Sequence, residues 1–243
     1  MDKDKEYESS RIMELESRKL ATEDNREFVI KTQKEVEKDN DLLATKINEK
    51  LKSYNIKSFD VVGAIGAGKT ELIVKLCQEF SKNKKVLVIC GDITTRIDAD
   101  RIEGPNVKSI QINTGRECAL NAYHIERIIK NIEIQTSDYV FIENVGNLIC
   151  PSEFMLGMDK RITVVSTTEG EWVIEKHPLL FKMSHIAVIN KIDLAERLET
   201  DLDKMVNDAK KINPNIKVVL TSAKTGEGIK ELMNALEIKT EEL

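Results

Sequence analysis

Gly63-Ala64-Ile65-Gly66-Ala67-Gly68-Lys69-Thr70 matches G-x-x-x-x-G-K-[ST] at every fixed position. An apolar, β-branched run (59–62) precedes it and a helical stretch (70–80) follows, which is the strand–loop–helix setting the pattern requires. Glycines there allow successive backbone N–H groups to turn inward on phosphate oxygens, and the helix N-terminus adds the positive end of its dipole. On this reading Gly63, Ala64, Gly66, Ala67, Gly68 and the first helical residues, Glu71 included, surround the phosphates. Lys69 reaches the β- and γ-phosphates, and the Thr70 hydroxyl ligates Mg²⁺.

Outward from this loop, short apolar runs alternate with helical stretches. The runs are 59–62, 86–90, 108–112, 139–142, 162–166, 186–189 and 218–221, and their β-branched content suits strands buried on both faces. Stretches 70–80, 120–132, 198–211 and 228–236 suit crossover helices. The alternation predicts an α/β domain of three layers with a mostly parallel sheet, which binds ligands at the carboxyl ends of its strands. Residues 1–54 are charged and lack Gly and Pro. Val36, Leu43, Ile47 and Leu51 recur on one helical face, so one or two amphipathic helices are expected ahead of a domain spanning 55–243.

Two motifs late in the chain select the base. Asn190-Lys191-Ile192-Asp193 follows the run 186–189. The Asp193 carboxylate accepts from the N1–H and exocyclic amine of guanine; adenine lacks both and would leave a buried carboxylate unpaired. Asn190 is expected to brace neighbouring loops, and the Lys191 stem to pack over the base. Ser222-Ala223-Lys224 follows the next run, and a backbone N–H there would donate to guanine O6. The nucleotide is therefore GTP or GDP.

Acidic residues sit where the strands end. Asp92 closes the second run and is the candidate for a Mg²⁺ ligand or for the acid that positions water; these two roles stay open. Asp98 and Asp100 are either further acids of the site or solvated helix-start residues. Glu143, at the end of the run 139–142, holds Mg²⁺ directly or through water, and the Gly146 N–H contacts the γ-phosphate.

The chain has 243 residues, 41% hydrophobic and 33% charged, which suits a globular domain with a sizeable core. No apolar run reaches the ~18 residues of a membrane span, and the charged start lacks the apolar core of a secretory signal, so a cytoplasmic location is expected. A net charge of -5 gives no reason to expect nucleic acid as a partner. The four cysteines, Cys77, Cys90, Cys118 and Cys150, form no C-x-x-C pair and read first as reduced thiols of a cytosolic protein.

The stretches GAIGAGKTELI, NTGREC, ENVGNLICP, STTEGE, EKHP and NKIDLA together resemble the hydrogenase maturation GTPases that help insert nickel (HypB-type), from about residue 36 to the C-terminus. The likeness is to archaeal members; the chain has neither the N-terminal cysteine motif nor the His-rich tract of some bacterial ones. It implies a P-loop GTPase of the signal-recognition, dimerising class, with GTP tightening a homodimer and slow hydrolysis relaxing it. The implied task is delivery of Ni²⁺ to the large-subunit precursor of a [NiFe]-hydrogenase, with a partner nickel metallochaperone.

The resemblance also implies a transition-metal site at the dimer interface, built from a Cys-His pair after NTG and the Cys of ENVGNL[VI]CP. Cys118 and Cys150 match, but Ala119 stands in place of the His and Asn121 in place of the usual Asp. Two thiolates from each of two subunits would suit Zn²⁺ or square-planar Ni²⁺. Three readings stay open: a metal held across a dimer, a weakened or lost site, and a redox or packing pair. His124 is read as a surface or capping histidine, and Trp172 as either helix–sheet packing or an interface anchor. Two other functions are kept: a related metallocentre-assembly GTPase with another client, and a metal-storage or transfer protein with little turnover.

Overall fold

A computed structural model describes residues 23–79, 84–92, 102, 106–113 and 119–238, with side chains from residue 35 onward except those of Asp92 and Asn113. Seven strands are present: β1 (Lys57–Gly63), β2 (Val86–Asp92), β3 (Val107–Asn113), β4 (Tyr139–Glu143), β5 (Lys160–Ser166), β6 (Ile186–Asn190) and β7 (Lys217–Leu220). The described helices are α1 (Glu23–Ser53), α2 (Lys69–Glu79), α3 (Ala122–Asn131), α4 (Val173–Lys176), α5 (Pro178–Lys182), α6 (Leu202–Ile212) and α7 (Ile229–Ala235). All seven expected strands are found. The helix expected at 198 starts later, because Asp201 caps α6 by accepting from the Lys204 N–H at 2.9 Å.

The strands form one parallel sheet in the order β3-β2-β4-β1-β5-β6-β7. β1 lies between β4 and β5, so successive crossovers leave it in opposite directions and open a crevice at its carboxyl end. The phosphate loop runs from that end of β1 into α2.

One face of the sheet packs Phe59, Val61, Val88, Phe141, Val164 and Val188 against Ile73 and Leu76 of α2 and Leu232 and Met233 of α7. The opposite face carries two separate clusters. The first joins Leu87, Ile89, Val140 and Ile142 to Ile47 and Leu51 of α1 and Ile125 and Ile129 of α3. The second joins Val165, Ala187 and Ile189 to Ile174, Phe181, Met205 and Ala209. Between them β1 and β5 present a buried polar strip, Ser58, Asp60, Arg161 and Thr163.

Segment 147–159 covers that strip, with its own polar groups bonded to it. Asp159 Oδ2 accepts from the Ser58 N–H at 2.9 Å, and Arg161 donates to two carbonyls of the segment. Contacts divide the chain after Asp39, so residues 40–53 of α1 fall within the larger unit rather than with the start of the extension set at 1–54. Leu51 and Ile47 of the expected apolar face are buried and Leu43 is partly so, whereas Val36 is 53% exposed.

Candidate functional site

At the carboxyl end of β1, the Lys69 side chain is buried and curls over its own loop. Its Nζ donates to the carbonyls of Gly63 (3.1 Å) and Ala64 (3.0 Å). Thr70, the next residue, donates from Oγ1 to Glu143 Oε1 at 2.6 Å. Glu143 is 5% exposed, so two hard oxygen donors from separate elements meet where the loop opens. The segment after Glu143 lies along the loop: the Asn147 N–H donates to the Gly63 carbonyl at 3.1 Å. A Cβ on Gly146 would stand 2.4 Å from Ile65 Cγ1, so only glycine allows this approach.

Asn190 ties the phosphate loop to the base-reading loops. Its Nδ2 donates to the Ala67 carbonyl at 2.9 Å, and its Oδ1 accepts from Thr221 Oγ1 and the Ala223 N–H, each at 3.1 Å. Gly68 sits against this amide with φ +99, and a Cβ there would be 2.3 Å from Asn190 Nδ2. Because Ala223 gives its N–H to Asn190, another N–H of the turn must be the donor to a base oxygen. Lys191 adopts a left-handed conformation (φ 60) and reaches the Gly66 carbonyl with Nζ at 2.7 Å. Asp193 is exposed and accepts from Ser222 Oγ at 2.7 Å, which holds its carboxylate beside the Ser222–Lys224 turn. Lys224 is exposed, and Glu71 lies in the first turn of α2.

Asp92 ends β2, one strand from β4, with Cys90 beside Glu143 in register; the Asp92 side chain lies outside the described set. Asp98, Asp100 and Cys118 lie outside the described residues altogether. Cys150 is partly buried, and Asn147 organises its turn. Asn147 Nδ2 approaches Cys150 Sγ at 3.3 Å, while its Oδ1 accepts from the N–H groups of Ile149 (2.7 Å) and Cys150 (3.3 Å). Among the described residues, no group of three or more His, Cys, Asp and Glu is placed to hold a metal ion.

Ala119 is buried, and Asn121 caps α3. His124 completes that capping box: the Asn121 N–H donates to its Nδ1 at 3.2 Å and its own N–H donates to Asn121 Oδ1 at 3.2 Å. Trp172 is not core packing. It is 52% exposed and lies under the Lys204 ammonium, 3.9 Å from the ring centroid. Burial pushes the Cys77 thiol up to about 12, so it is inert at neutral pH.

Two features escape motif reading. Glu169, in the turn after β5, accepts at Oε1 from the Ser166 N–H (3.0 Å) and Ser166 Oγ (3.2 Å). Its Oε2 is buried with no hydrogen-bond partner among the described residues. Burial raises this carboxyl above the ordinary Glu value; the Ser166 bonds oppose the shift, as do the nearby charges of Lys191 and Lys69. The acid therefore belongs to the nucleotide crevice, although its capping role is local.

The second feature is the ion pair Asp60–Arg161 on the covered sheet face, with Nε 2.8 Å from Oδ2 and side chains 3% and 1% exposed. Burial raises the Asp60 carboxyl, and the charge and hydrogen bonds of Arg161 and Asn144 oppose it. A charged residue inside an apolar strand run is the sequence signal that could have found both residues.

Residues 58–220 match the model of the CobW/HypB/UreG nucleotide-binding domain. The chain is 44% identical over 215 residues to the probable hydrogenase maturation factor HypB of Methanocaldococcus jannaschii, covering 88% of this chain and 97% of that one. The crystal structure of HypB from Archaeoglobus fulgidus superposes with a TM-score of 0.77 at 40% identity, covering 82% of this chain and 97% of that one. HypB from Helicobacter pylori, solved in complex with nickel, gives a TM-score of 0.77 at 30% identity, with 83% and 95% covered. The signal recognition particle receptor FtsY of Elizabethkingia anophelis shares the fold alone, at 19% identity and a TM-score of 0.51 over 82% of this chain and 71% of that one. With a phosphate loop, a braced NKID turn and these relatives in agreement, the chain belongs to the HypB-type hydrogenase maturation GTPases of the CobW/HypB/UreG family.

Proposed function

We propose that this protein binds GTP, hydrolyses it with Mg²⁺, and uses the cycle to gate nickel delivery to the large-subunit precursor of a [NiFe]-hydrogenase. The observation that carries the proposal is the Thr70–Glu143 contact of 2.6 Å at the mouth of the phosphate loop, with Asn190 bracing the same loop to the base-reading turns. Thr70 Oγ1 and the Glu143 carboxylate are oxygen donors of the kind Mg²⁺ prefers, so the donor set fits that ion. Bound there, it would neutralise charge on the β- and γ-phosphates. Lys69 exchanges its carbonyl partners for phosphate oxygens and stabilises charge as the bond to the γ-phosphate breaks. Asp92 or Glu143 orients the attacking water. Gly146 contacts the γ-phosphate through its N–H.

Asp193 reads the guanine N1–H and amine, the Ser222–Lys224 turn donates to O6, and the Lys191 stem covers the base. GTP closes a homodimer over this crevice, and a partner nickel metallochaperone supplies the ion. No described helix is long and apolar enough to cross a membrane, in keeping with work in the cytoplasm without a membrane or nucleic-acid partner. The similarity to a HypB solved with nickel supports Ni²⁺ as the cargo, and Zn²⁺ is the competitor that thiolates also accept. Ala119 is buried, so its position supplies no ligand, and the transition-metal set would be Cys118 and Cys150 from both subunits.

The test is calorimetric titration of Ni²⁺ and Zn²⁺ into the protein loaded with GDP or with a non-hydrolysable GTP analogue. Cys118→Ala serves as control, alongside phosphate release by wild type and Lys69→Ala. Binding that needs both the analogue and Cys118, with hydrolysis lost in Lys69→Ala, supports the proposal. Hydrolysis at the wild-type rate in Lys69→Ala would overturn the mechanism. Absence of specific metal binding in both states would overturn the cargo.

A further inference from the structure

Asp60 and Arg161 are neighbours in the β1–β5 register, and their side chains lie under the segment that carries Cys150. Arg161 spends its guanidinium on three partners: Nε on Asp60 Oδ2 at 2.8 Å, Nη1 on the Pro151 carbonyl at 2.9 Å and Nη2 on the Phe154 carbonyl at 2.6 Å. The other Asp60 oxygen accepts from Asn144 Nδ2 at 3.3 Å. Asn144 Oδ1 in turn accepts from the N–H groups of Leu120 and Val145, each at 3.0 Å. Asn144 adjoins Glu143, which holds Thr70. A continuous chain of buried bonds thus runs from the phosphate loop, through the end of β4, to the turn that begins at Cys150 and to the backbone just ahead of α3.

Stability does not account for this arrangement. Two buried charges lose their hydration, and well-packed apolar residues in the same volume commonly do as well or better. The strip also interrupts what is otherwise an apolar sheet face. What the charges supply is direction: a planar fork fixes two carbonyls of one turn, and a carboxylate fixes the amide that follows Glu143.

We infer that Asp60, Arg161 and Asn144 are positioning residues whose bonds transmit the state of the phosphate loop to the Cys150 turn. This rests on the nucleotide-gated reading above and names how the gate is wired. If Glu143 shifts when the γ-phosphate site fills, Asn144 shifts with it. Asp60 and Arg161 then carry that displacement to Pro151 and Phe154, which flank the thiol. Coupling of this kind requires a physical element that both sites bias, and the fork supplies one.

The test measures the alkylation rate of Cys150 by iodoacetamide, read by peptide mass spectrometry, in the GDP-loaded and GTP-analogue-loaded full chain. Wild type is compared with Arg161→Lys, which keeps the charge and loses the fork, and with Asn144→Ala. In wild type the two rates should differ by about 5-fold or more. In both variants the ratio should fall toward one while GTP-analogue affinity stays within about threefold of wild type. A purely structural role would lower the urea midpoint in both nucleotide states and leave the ratio unchanged; that result overturns the relay and spares the gate. Equal rates in wild type would overturn the gate and the relay together. Should Arg161→Lys fail to fold, Asn144→Ala alone decides, since it unpairs no charge.

Discussion

At the scale of the residue, Asp193 carries the choice of base. Its carboxylate is exposed and held by Ser222, so it is set in place before a base arrives. Replacing it by Asn exchanges an acceptor for a donor, and each lost bond to the charged group is worth about 1.5–3 kcal/mol. Asp193→Asn should weaken GTP by roughly 10²–10⁴-fold and favour xanthosine triphosphate, whose C2 oxygen takes the new amide N–H; competition calorimetry with the two nucleotides checks this. Undiminished GTP binding would remove Asp193 from the site. Glu169 gives a pH prediction. Its carboxyl lies above the ordinary value of 4.5 in the folded chain, chiefly through burial. The native state then holds the proton to higher pH than the unfolded chain, and stability falls as pH rises from about 4.5 through the raised value. Glu169→Gln keeps the cap and removes the titration. Its urea midpoint, compared with that of wild type in the absence of nucleotide, should gain progressively across that window, and a constant difference between the two would reject the assignment.

At the scale of the element, residues 40–53 of α1 act as a clasp. Asn40 is 2% exposed, and its side chain joins two segments that are far apart in sequence. Nδ2 donates to the Met155 carbonyl at 2.9 Å, and Oδ1 accepts from the Ala122 N–H at 2.9 Å at the start of α3. Removing it strands a buried carbonyl and a buried N–H at about 1–3 kcal/mol each. Asn40→Ala should therefore lower unfolding free energy by about 2–4 kcal/mol in urea while the isolated phosphate loop chemistry persists; a loss below about 0.5 kcal/mol would show that water replaces it. This clasp marks where the sequence stops being legible. The strands read directly because buried parallel strands are continuous β-branched runs, and the loop, NKID and SAK motifs read because phosphate and guanine demand fixed residue types at fixed offsets. Asn40, Arg161 and Asn144 have no such signature: each acts through one long-range bond whose partner is a backbone group, and backbone groups are identical everywhere in a sequence. Trp172 fails for a related reason, since its size suggested core packing and only the fold shows Lys204 lying over its ring.

At the scale of the whole molecule, the distribution of exposed apolar side chains is uneven. Ile65 (84%), Ile149 (64%), Trp172 (52%) and Leu198 (47%) all project from segments that follow the carboxyl ends of strands, and Tyr123 (59%) lies in the first turn of the helix after β3. Single exposed apolar residues need no explanation, but several around one crevice suit a surface that another molecule covers. A second copy of the chain fits, because such a contact is self-complementary and would close the nucleotide away from water. Ile65 belongs to the phosphate loop itself and Ile149 to the turn of Cys150, so a dimer burying both would sense nucleotide and metal loops together. Burying one such side chain contributes about 1.5–3 kcal/mol, and placing a charge there forfeits at least that much. Ile149→Arg should accordingly weaken analogue-induced dimerisation by about 10–100-fold while the monomer binds the GTP analogue as wild type does; sedimentation velocity over a range of protein concentrations, with GDP and with the analogue, measures both. A variant that dimerises with wild-type affinity would place the interface elsewhere, and a wild-type dimer equally tight with GDP would mean that nucleotide does not control assembly.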